Sequence, residues 1–173
     1  EHLPTKGGSI RYYCNRYYVG RLQNPMNLVE DDDGPEHGSL YESKTYVDFG
    51  KRIDMEREKT RAILAKAKAQ GKTIAGFGAS ISATTLIYHF GLGEYIDYLI
   101  DDNPAKIDRY SPGLHKPVHS CGELDTLRPD LVIALAWRFA GDFRHKHPEY
   151  PLLVPLPECR LEQPAPVVVL RAN

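Results

Sequence analysis

One stretch, residues 72–87, constrains the fold of this chain more than any other. It reads Lys-Thr-Ile-Ala-Gly-Phe-Gly-Ala-Ser, followed by Ile-Ser-Ala-Thr-Thr-Leu-Ile. A short apolar run ends in Gly76 and Gly78 and passes directly into a segment with helical apolar spacing. This order predicts a strand, a tight turn and a helix N-terminus, as in the first βα unit of a Rossmann-like fold.

The glycine turn predicts an anion site. Gly76 and Gly78 permit positive φ and a close approach of the backbone, and the first N–H groups of the following helix have no intrahelical partner. Phosphate is therefore the first candidate ligand. The dinucleotide fingerprint has a third glycine where this chain has Ile81, which disfavours a standard NAD site. In the alternative interpretation, the glycines only turn the chain and let the helix pack on the strand.

Composition excludes several classes of function. The 173 residues include 22 Lys and Arg against 23 Asp and Glu, and 42% are hydrophobic. These values predict about one domain with a sizeable core, without the basic field that attracts nucleic acid. No apolar run approaches the roughly 20 residues of a membrane span, and residues 1–9 show no signal-peptide pattern. We therefore expect a soluble, cytoplasmic protein with no nucleic-acid or membrane partner.

The cysteines and acidic residues do not indicate a metal centre. Cys14, Cys121 and Cys159 are scattered, without a C-x-x-C pair, so neither a zinc cluster nor a disulfide framework is predicted. The acidic run 30–33 could bind a divalent metal, but its spacing favours a solvated loop.

Strand and helix patterns alternate along the chain, which predicts an α/β fold. We expect a Rossmann-like, doubly wound, mostly parallel sheet with helices on both faces. An N-terminal strand and a long helix precede it. The predicted strands are 10–18, 72–77, 95–100, 130–136 and 152–156, with 167–170 as an edge strand or a tail, and the predicted helices are 43–70, 81–90, 123–127 and 139–147.

The domain prediction divides the chain into 1–42, a strand and loop leading in from a missing upstream domain, and 43–173, the Rossmann-like domain. A strand so close to residue 1 suggests a chain that starts inside a longer protein. In helix 43–70, Phe49, Ile53, Leu64 and Ala67 are expected on the packed face. The solvated face is expected to carry the charged residues Arg52, Asp54, Glu56, Arg57, Glu58 and Lys59. Pro155 predicts that the last strand lies at or near an edge.

Polar residues after the predicted strands are candidates for ligand contact. Asp101 and Asp102 end the second parallel strand, where Rossmann proteins hold a ribose hydroxyl, although a solvated Asn-Pro turn is the alternative. Segment 105–118 is interpreted as a loop over the glycine turn. Trp137 could stack on a base at the end of its strand, but the pattern favours a buried core tryptophan.

Five groups of residues carry a family resemblance: residues 3–9, Gly-Phe-Gly-Ala at 76–79, residues 102–117, Leu-Ala-Trp at 135–137 and Val-Pro-Leu-Pro at 154–157. With them the chain resembles the C-terminal domain of the SAM-dependent sugar C-methyltransferases, which methylate a ring carbon of nucleotide-linked deoxy-keto-sugars. The resemblance implies that the SAM site and the catalytic base belong to a missing upstream methyltransferase domain. No cofactor and no catalytic residue are therefore expected in this chain.

The resemblance further implies a module that binds a nucleotide-sugar, such as a dTDP-sugar. Backbone contacts are expected from Gly76, Gly78, Ala79 and Ser80, hydroxyl contacts from Ser82, Thr84 and Thr85, and the opposite wall from Asp102, Asn103, Lys106, Tyr110 and His115. Ser82 stands where the family usually has Lys, and Arg138 where it has Asn, which leaves the sugar open. A structural or dimerisation domain without a ligand, and an NAD-binding oxidoreductase, are the alternatives.

Overall fold

The computed structural model describes residues 42–164 and, near the N-terminus, the backbone of residues 2–3 and 9–10. The chain forms two compact units, Glu1–Asp54 and Met55–Asn173. In the first unit, β1 (His2–Leu3) pairs antiparallel with β2 (Ser9–Ile10). Most of the predicted strand 10–18, the acidic run 30–33 and the predicted tail 167–170 lie outside the described residues.

The predicted long helix is confirmed as α1 (Ser43–Ala69). In its C-terminal part the buried side chains are Glu56, Thr60, Leu64 and Ala67, whose spacing of four, four and three residues places them on one face. Phe49, predicted on the packed face, is instead exposed. Arg61 donates hydrogen bonds to the carbonyls of Phe90 and Gly91, each at 3.2 Å, and thereby ties α1 to the end of the following helix.

Glu56 corrects the predicted solvated face of α1. Its carboxylate is buried, accepts a hydrogen bond from the amide of Cys159 at 2.6 Å and pairs with Lys59 at 2.8 Å. The side-chain hydrogen bond from Lys59 lowers the pKa of Glu56, and the amide of Cys159 adds to this effect. Because Cys159 lies 103 residues away, the local charge pattern gives no sign that this one carboxylate is internal.

The second unit is built on one seven-stranded sheet with the strand order β5-β6-β4-β3-β7-β8-β9. The strands are β3 (Ile74–Phe77), β4 (Tyr98–Asp101), β5 (Arg109–Tyr110), β6 (Pro117–Ser120), β7 (Leu131–Ala134), β8 (Leu152–Val154) and β9 (Arg160–Glu162). Strands β6, β4, β3, β7 and β8 are parallel, while β5 and β9 pair antiparallel at the edges. The five parallel strands have the Rossmann order, which confirms the predicted fold class.

Helices cover both faces of the sheet. The second helix, α2 (Ile81–Phe90), follows β3, while α3 (Leu124–Leu127) and α4 (Ala140–Lys146) follow β6 and β7. Ala75, Ile100 and Val132 share a buried cluster with residues of α3 and α4. Because side chains alternate along a strand, Leu99 points to the opposite face, where it lines a cavity with Ile87 of α2.

Three strands of this sheet, β5, β6 and β9, were missed from the sequence. β5 lies inside the segment interpreted as a loop, and β6 begins inside it. β6 contains one buried apolar residue, Val118, so it has no apolar run that would predict a strand. β9 covers β8, so β8 is next to the edge rather than at it. Among the described residues, none forms a helix both long enough and apolar enough to span a bilayer.

Candidate functional site

The main cavity, of about 480 Å³, opens at the carboxyl ends of β3, β4 and β7. Its volume is within the range of about 300–1,000 Å³ that is common for small-molecule sites. From β3 the chain continues to β4 and β6 on one side of the sheet and then to β7 and β8 on the other. Ligands of open α/β sheets bind in the crevice at the carboxyl ends of the two strands where this order reverses, here β3 and β7. The cavity is lined by Phe77, Gly78, Ser80, Ser82, Asp101, Asp102, Lys106, Cys121, Leu135, Ala136, Trp137, Arg138, Phe139, Asp142, Phe143, Lys146 and His147.

The two glycines of the turn have different roles. Gly78 adopts φ +98°, and a Cβ there would lie 2.5 Å from the Cβ of Ala136. Its predicted role, a left-handed turn with a close backbone approach, is confirmed. Gly76 is not in the left-handed region; it lies within β3, where a Cβ would lie 2.7 Å from both Leu99 and Leu135. Gly76 therefore leaves room for the side chains of Leu99 and Leu135 across the sheet.

The protein itself uses some of the amides that the sequence predicted to be free. The amide of Gly78 donates to the carbonyl of Ile100 at 2.8 Å, and that of Ala79 donates to the carboxylate of Asp101 at 2.7 Å. For these two residues the prediction of free amides is wrong. Their hydrogen bonds join the turn to β4 and fix its position at the edge of the main cavity.

Three amides at the start of α2 remain available. The N-cap Ser80 accepts a hydrogen bond from the amide of Ala83 at 3.1 Å, and its hydroxyl lies 2.9 Å from that of Ser82. The amides of Ser80, Ile81 and Ser82 have no acceptor within the described part of the chain. Since Ser80 and Ser82 line the main cavity, the helix N-terminus brings hydroxyls and unpaired donors to its wall.

Asp101 occupies the end of β4, where the sequence suggested a ribose contact. Its side chain is buried and accepts hydrogen bonds from the amides of Ala79 and Asn103 and from the Lys106 ammonium, at 2.7, 2.8 and 3.0 Å. Burial alone would raise the pKa of Asp101, but these three donors outweigh it and lower the pKa below 3.8. Asp101 thus holds the turn together, and the exposed Asp102 faces the cavity.

The cations of the main cavity differ in their availability. Lys106 pairs with Asp101, and Lys146 pairs with Asp102 at 3.2 Å. Arg138 is exposed and forms no ion pair with a described residue; its guanidinium lies 4.9 Å from the centroid of the Trp137 ring. Arg138 is therefore the cation that a ligand could engage without breaking an existing pair.

Cys121 lines the same cavity but is not an activated nucleophile. The side chain is buried, and burial raises the pKa of its thiol, as does the neighbouring Asp102 carboxylate. A thiol in such surroundings stays protonated and unreactive at neutral pH. Among the residues that the structure describes, no group of three or more His, Cys, Asp or Glu side chains could hold a metal ion.

A second cavity, of about 180 Å³, lies between α2 and the segment around β5. Ala79, Thr84, Lys106 and Tyr110 line it, and Lys106 also lines the main cavity. The hydroxyl of Thr84 donates to the carbonyl of Ser80 at 3.2 Å. Lys106 and Tyr110, which were predicted to form the opposite wall of the ligand site, therefore line this smaller cavity.

The structure does not bring all the candidate residues together. Gly78, Ser80, Ser82, Asp102 and Lys106 line the main cavity, whereas Gly76, Thr85, Asn103 and His115 line neither cavity. The Thr85 hydroxyl donates to the carbonyl of Ile81, and the side-chain oxygen of Asn103 accepts from the amide of Ala105. His115 is exposed, with φ +49°.

Several residues that line the main cavity were missed. Trp137, expected in the core, is half-buried and faces the cavity at the end of β7. Arg138 and Phe139 follow it directly and also line the cavity. Their position shortly after a buried strand could have identified them as candidate ligand contacts. Lys146 reaches Asp102 from the end of α4, across 44 residues of chain, and no local pattern indicates this contact.

Comparison with known proteins gives two matches. The family model described as the C-methyltransferase C-terminal domain matches residues 4–153. The chain is also similar to the C-methyltransferase NovU of Streptomyces niveus, with 30% identity over 122 residues. That alignment covers 67% of this chain and 29% of NovU, so the chain corresponds to less than a third of the curated relative.

Proposed function

Because this chain belongs to the C-methyltransferase C-terminal domain family, we propose that it binds a nucleotide-linked keto-deoxysugar and holds it for an upstream methyltransferase domain. The methyl donor in such a reaction would be S-adenosylmethionine, bound by that upstream domain together with the catalytic base. We assign neither of these functions to a residue of this chain. We place the reaction in the cytoplasm, which agrees with the free thiols of Cys121 and Cys159.

The observation that carries this proposal is the coincidence of unpaired amides and a cavity at one place. The amides of Ser80, Ile81 and Ser82 lack acceptors among the described residues, and Ser80 and Ser82 line the main cavity. A diphosphate is the ligand group that such donors favour, because they combine hydrogen bonds with the positive end of the helix dipole. The hydroxyls of Ser80 and Ser82 are hydrogen-bonded to each other, which leaves one hydroxyl hydrogen as a further donor.

The polar residues around this position would support an anionic, hydroxylated ligand. Arg138 contributes a cation without an ion pair in the described chain, and Lys146 lies at the same cavity, paired with Asp102. The carboxylate of Asp102 is more than half exposed, so it could accept hydrogen bonds from ligand hydroxyls. In this account the chain binds and orients the substrate and moves no proton.

Asp101 argues against a dinucleotide in the same crevice. A dinucleotide site requires a free carboxylate at the end of the second strand to bind the ribose hydroxyls. Here that carboxylate already accepts from two amides and one ammonium. A ribose would have to displace these donors, which also close the glycine turn.

Isothermal titration calorimetry of the full chain tests the proposal. We expect thymidine diphosphate and a thymidine-diphosphate-linked sugar to bind, and S-adenosylmethionine and NADH to release no binding heat. Preferential binding of S-adenosylmethionine or NADH would reject the assignment. If none of the four ligands bound, a structural or dimerisation role would be favoured instead.

A further inference from the structure

Trp137 is placed at the main cavity in a way that the fold alone does not require. It begins the 3-10 turn Trp137–Phe139, two residues after the end of β7, and it packs against the buried cluster of α3 and α4 while remaining partly exposed. Trp137 also lines the main cavity. Because the indole is only partly buried, part of its apolar surface stays uncovered.

The two residues after Trp137 add to this arrangement. Arg138 places its guanidinium 4.9 Å from the indole centroid, within the distance of a cation–π interaction. Phe139 is 58% exposed and lines the same cavity. Three consecutive side chains thus present an aromatic surface, a cation and a second aromatic ring to one opening, and none of the three is enclosed in the core.

We propose, on the basis of the nucleotide-sugar function above, that Trp137 and Arg138 form the subsite for the nucleobase, with the diphosphate at Ser80–Ser82. A nucleobase has a π-face that stacks on an indole, and carbonyl oxygens that accept hydrogen bonds from a guanidinium. A deoxysugar ring has no π-face and a diphosphate has no apolar surface. The base is therefore the part of the ligand that matches both side chains.

The chain provides its own reporter for this test, because Trp137 is its only tryptophan. Selective excitation of tryptophan in the full chain therefore follows one indole, and a base stacked on it should change the emission. The ligands are thymidine diphosphate, inorganic pyrophosphate and glucose 1-phosphate, which separate the base from the phosphate and the sugar. Affinities of the wild type and the variants are measured in parallel by calorimetry.

We expect thymidine diphosphate to quench the Trp137 emission, and the other two ligands to leave it unchanged. Base stacking on an aromatic residue predicts that Trp137→Ala weakens thymidine diphosphate binding by about 5- to 150-fold, with pyrophosphate binding changed less than twofold. Trp137→Phe keeps a stacking surface and should lose less than about fivefold. Tyr88→Ala removes an exposed aromatic ring that lines neither cavity, and should have no effect.

The outcomes separate this inference from the proposed function. If thymidine diphosphate binds without a change in emission, and Trp137→Ala leaves its affinity intact, the nucleobase subsite is overturned while the binding function stands. Quenching by glucose 1-phosphate alone would overturn it in favour of a sugar at Trp137. Failure of thymidine diphosphate to bind the wild-type chain would overturn both proposals.

Discussion

The carboxylate of Asp101, at the end of β4, accepts a hydrogen bond of 2.7 Å from the amide of Ala79 in the glycine turn after β3. A side chain at the end of β4 thereby stabilises the turn that follows the neighbouring strand β3. This contact uses an amide that a phosphate could otherwise engage and leaves the donors of Ser80–Ser82 for a ligand. The turn therefore has a structural part, held by Asp101, and a part that remains open to the cavity.

Replacing Asp101 tests its role in the turn. Asp101→Ala would leave the amide of Ala79 and the ammonium of Lys106 without their acceptor, and we expect it to lower the free energy of unfolding by about 2–4 kcal/mol. Urea denaturation measures this change. Asp102→Ala removes the adjacent carboxylate, which is mostly exposed, and should cost less than about 1 kcal/mol. Equal losses for the two variants would contradict the distinction between them.

Stability in acid should depend on the same residue. The pKa of Asp101 in the folded chain lies below its ordinary value of 3.8, so the folded state binds fewer protons at this group than the unfolded state. The stability that Asp101 contributes is then fully present above pH 3.8 and is lost as the pH falls through the lower, folded pKa. We expect Asp101→Asn to lose less stability than the wild type below pH 3.8 in acid titrations of unfolding. Parallel stability curves for the two proteins would exclude this linkage.

Gly78 should tolerate no side chain. Gly78→Ala would place a Cβ 2.5 Å from that of Ala136 on a backbone with φ +98°, and we expect a loss of at least about 2 kcal/mol in the free energy of unfolding. Gly141→Ala is the matched control, because a Cβ on Gly141, in α4, meets nothing within 4 Å. That variant should be neutral or more stable by up to about 1 kcal/mol, since alanine favours helix. A neutral Gly78→Ala would show that the turn can move away from Ala136.

A negative charge introduced at the start of α2 tests the proposed phosphate position. Ser82→Asp would place a carboxylate beside the unpaired amides, and we expect thymidine diphosphate to bind at least about tenfold more weakly. Ser82→Ala removes one hydroxyl and should cost about threefold or less. Thr126→Asp adds the same charge on the exposed surface of α3, at a residue that lines neither cavity, and should leave the affinity unchanged. Similar losses for both Asp variants would indicate a general charge effect.

The order of strands and helices could be predicted because local patterns determine it. The apolar run of β7, Leu131–Ala134, is buried throughout the strand, and Gly78, directly after β3, marks the turn. The strands that were missed, β5, β6 and β9, are short and poor in apolar residues. They form because neighbouring strands offer unpaired backbone groups. These strands are stabilised by pairing with neighbouring strands, so the local sequence pattern does not predict them.

The site was less predictable because it depends on which of two similar residues faces inward. Asp101 and Asp102 are adjacent in sequence, but Asp101 ends β4 and is buried against the glycine turn, whereas Asp102 follows the strand and is more than half exposed. The same holds for Glu56 and Glu58 on α1, since only Glu56 meets the amide of Cys159. These distinctions follow from contacts between distant parts of the chain.

The most direct test of the central claim follows the backbone amides at the start of α2 by NMR during titration with thymidine diphosphate. The account predicts large chemical-shift changes for the amides of Ser80, Ile81 and Ser82, which lack acceptors in the described chain. The amides of Gly78 and Ala79 should shift less, because Ile100 and Asp101 already hold them. Saturable shifts confined to another surface, or unchanged amides at Ser80–Ser82 in the presence of bound ligand, would contradict it.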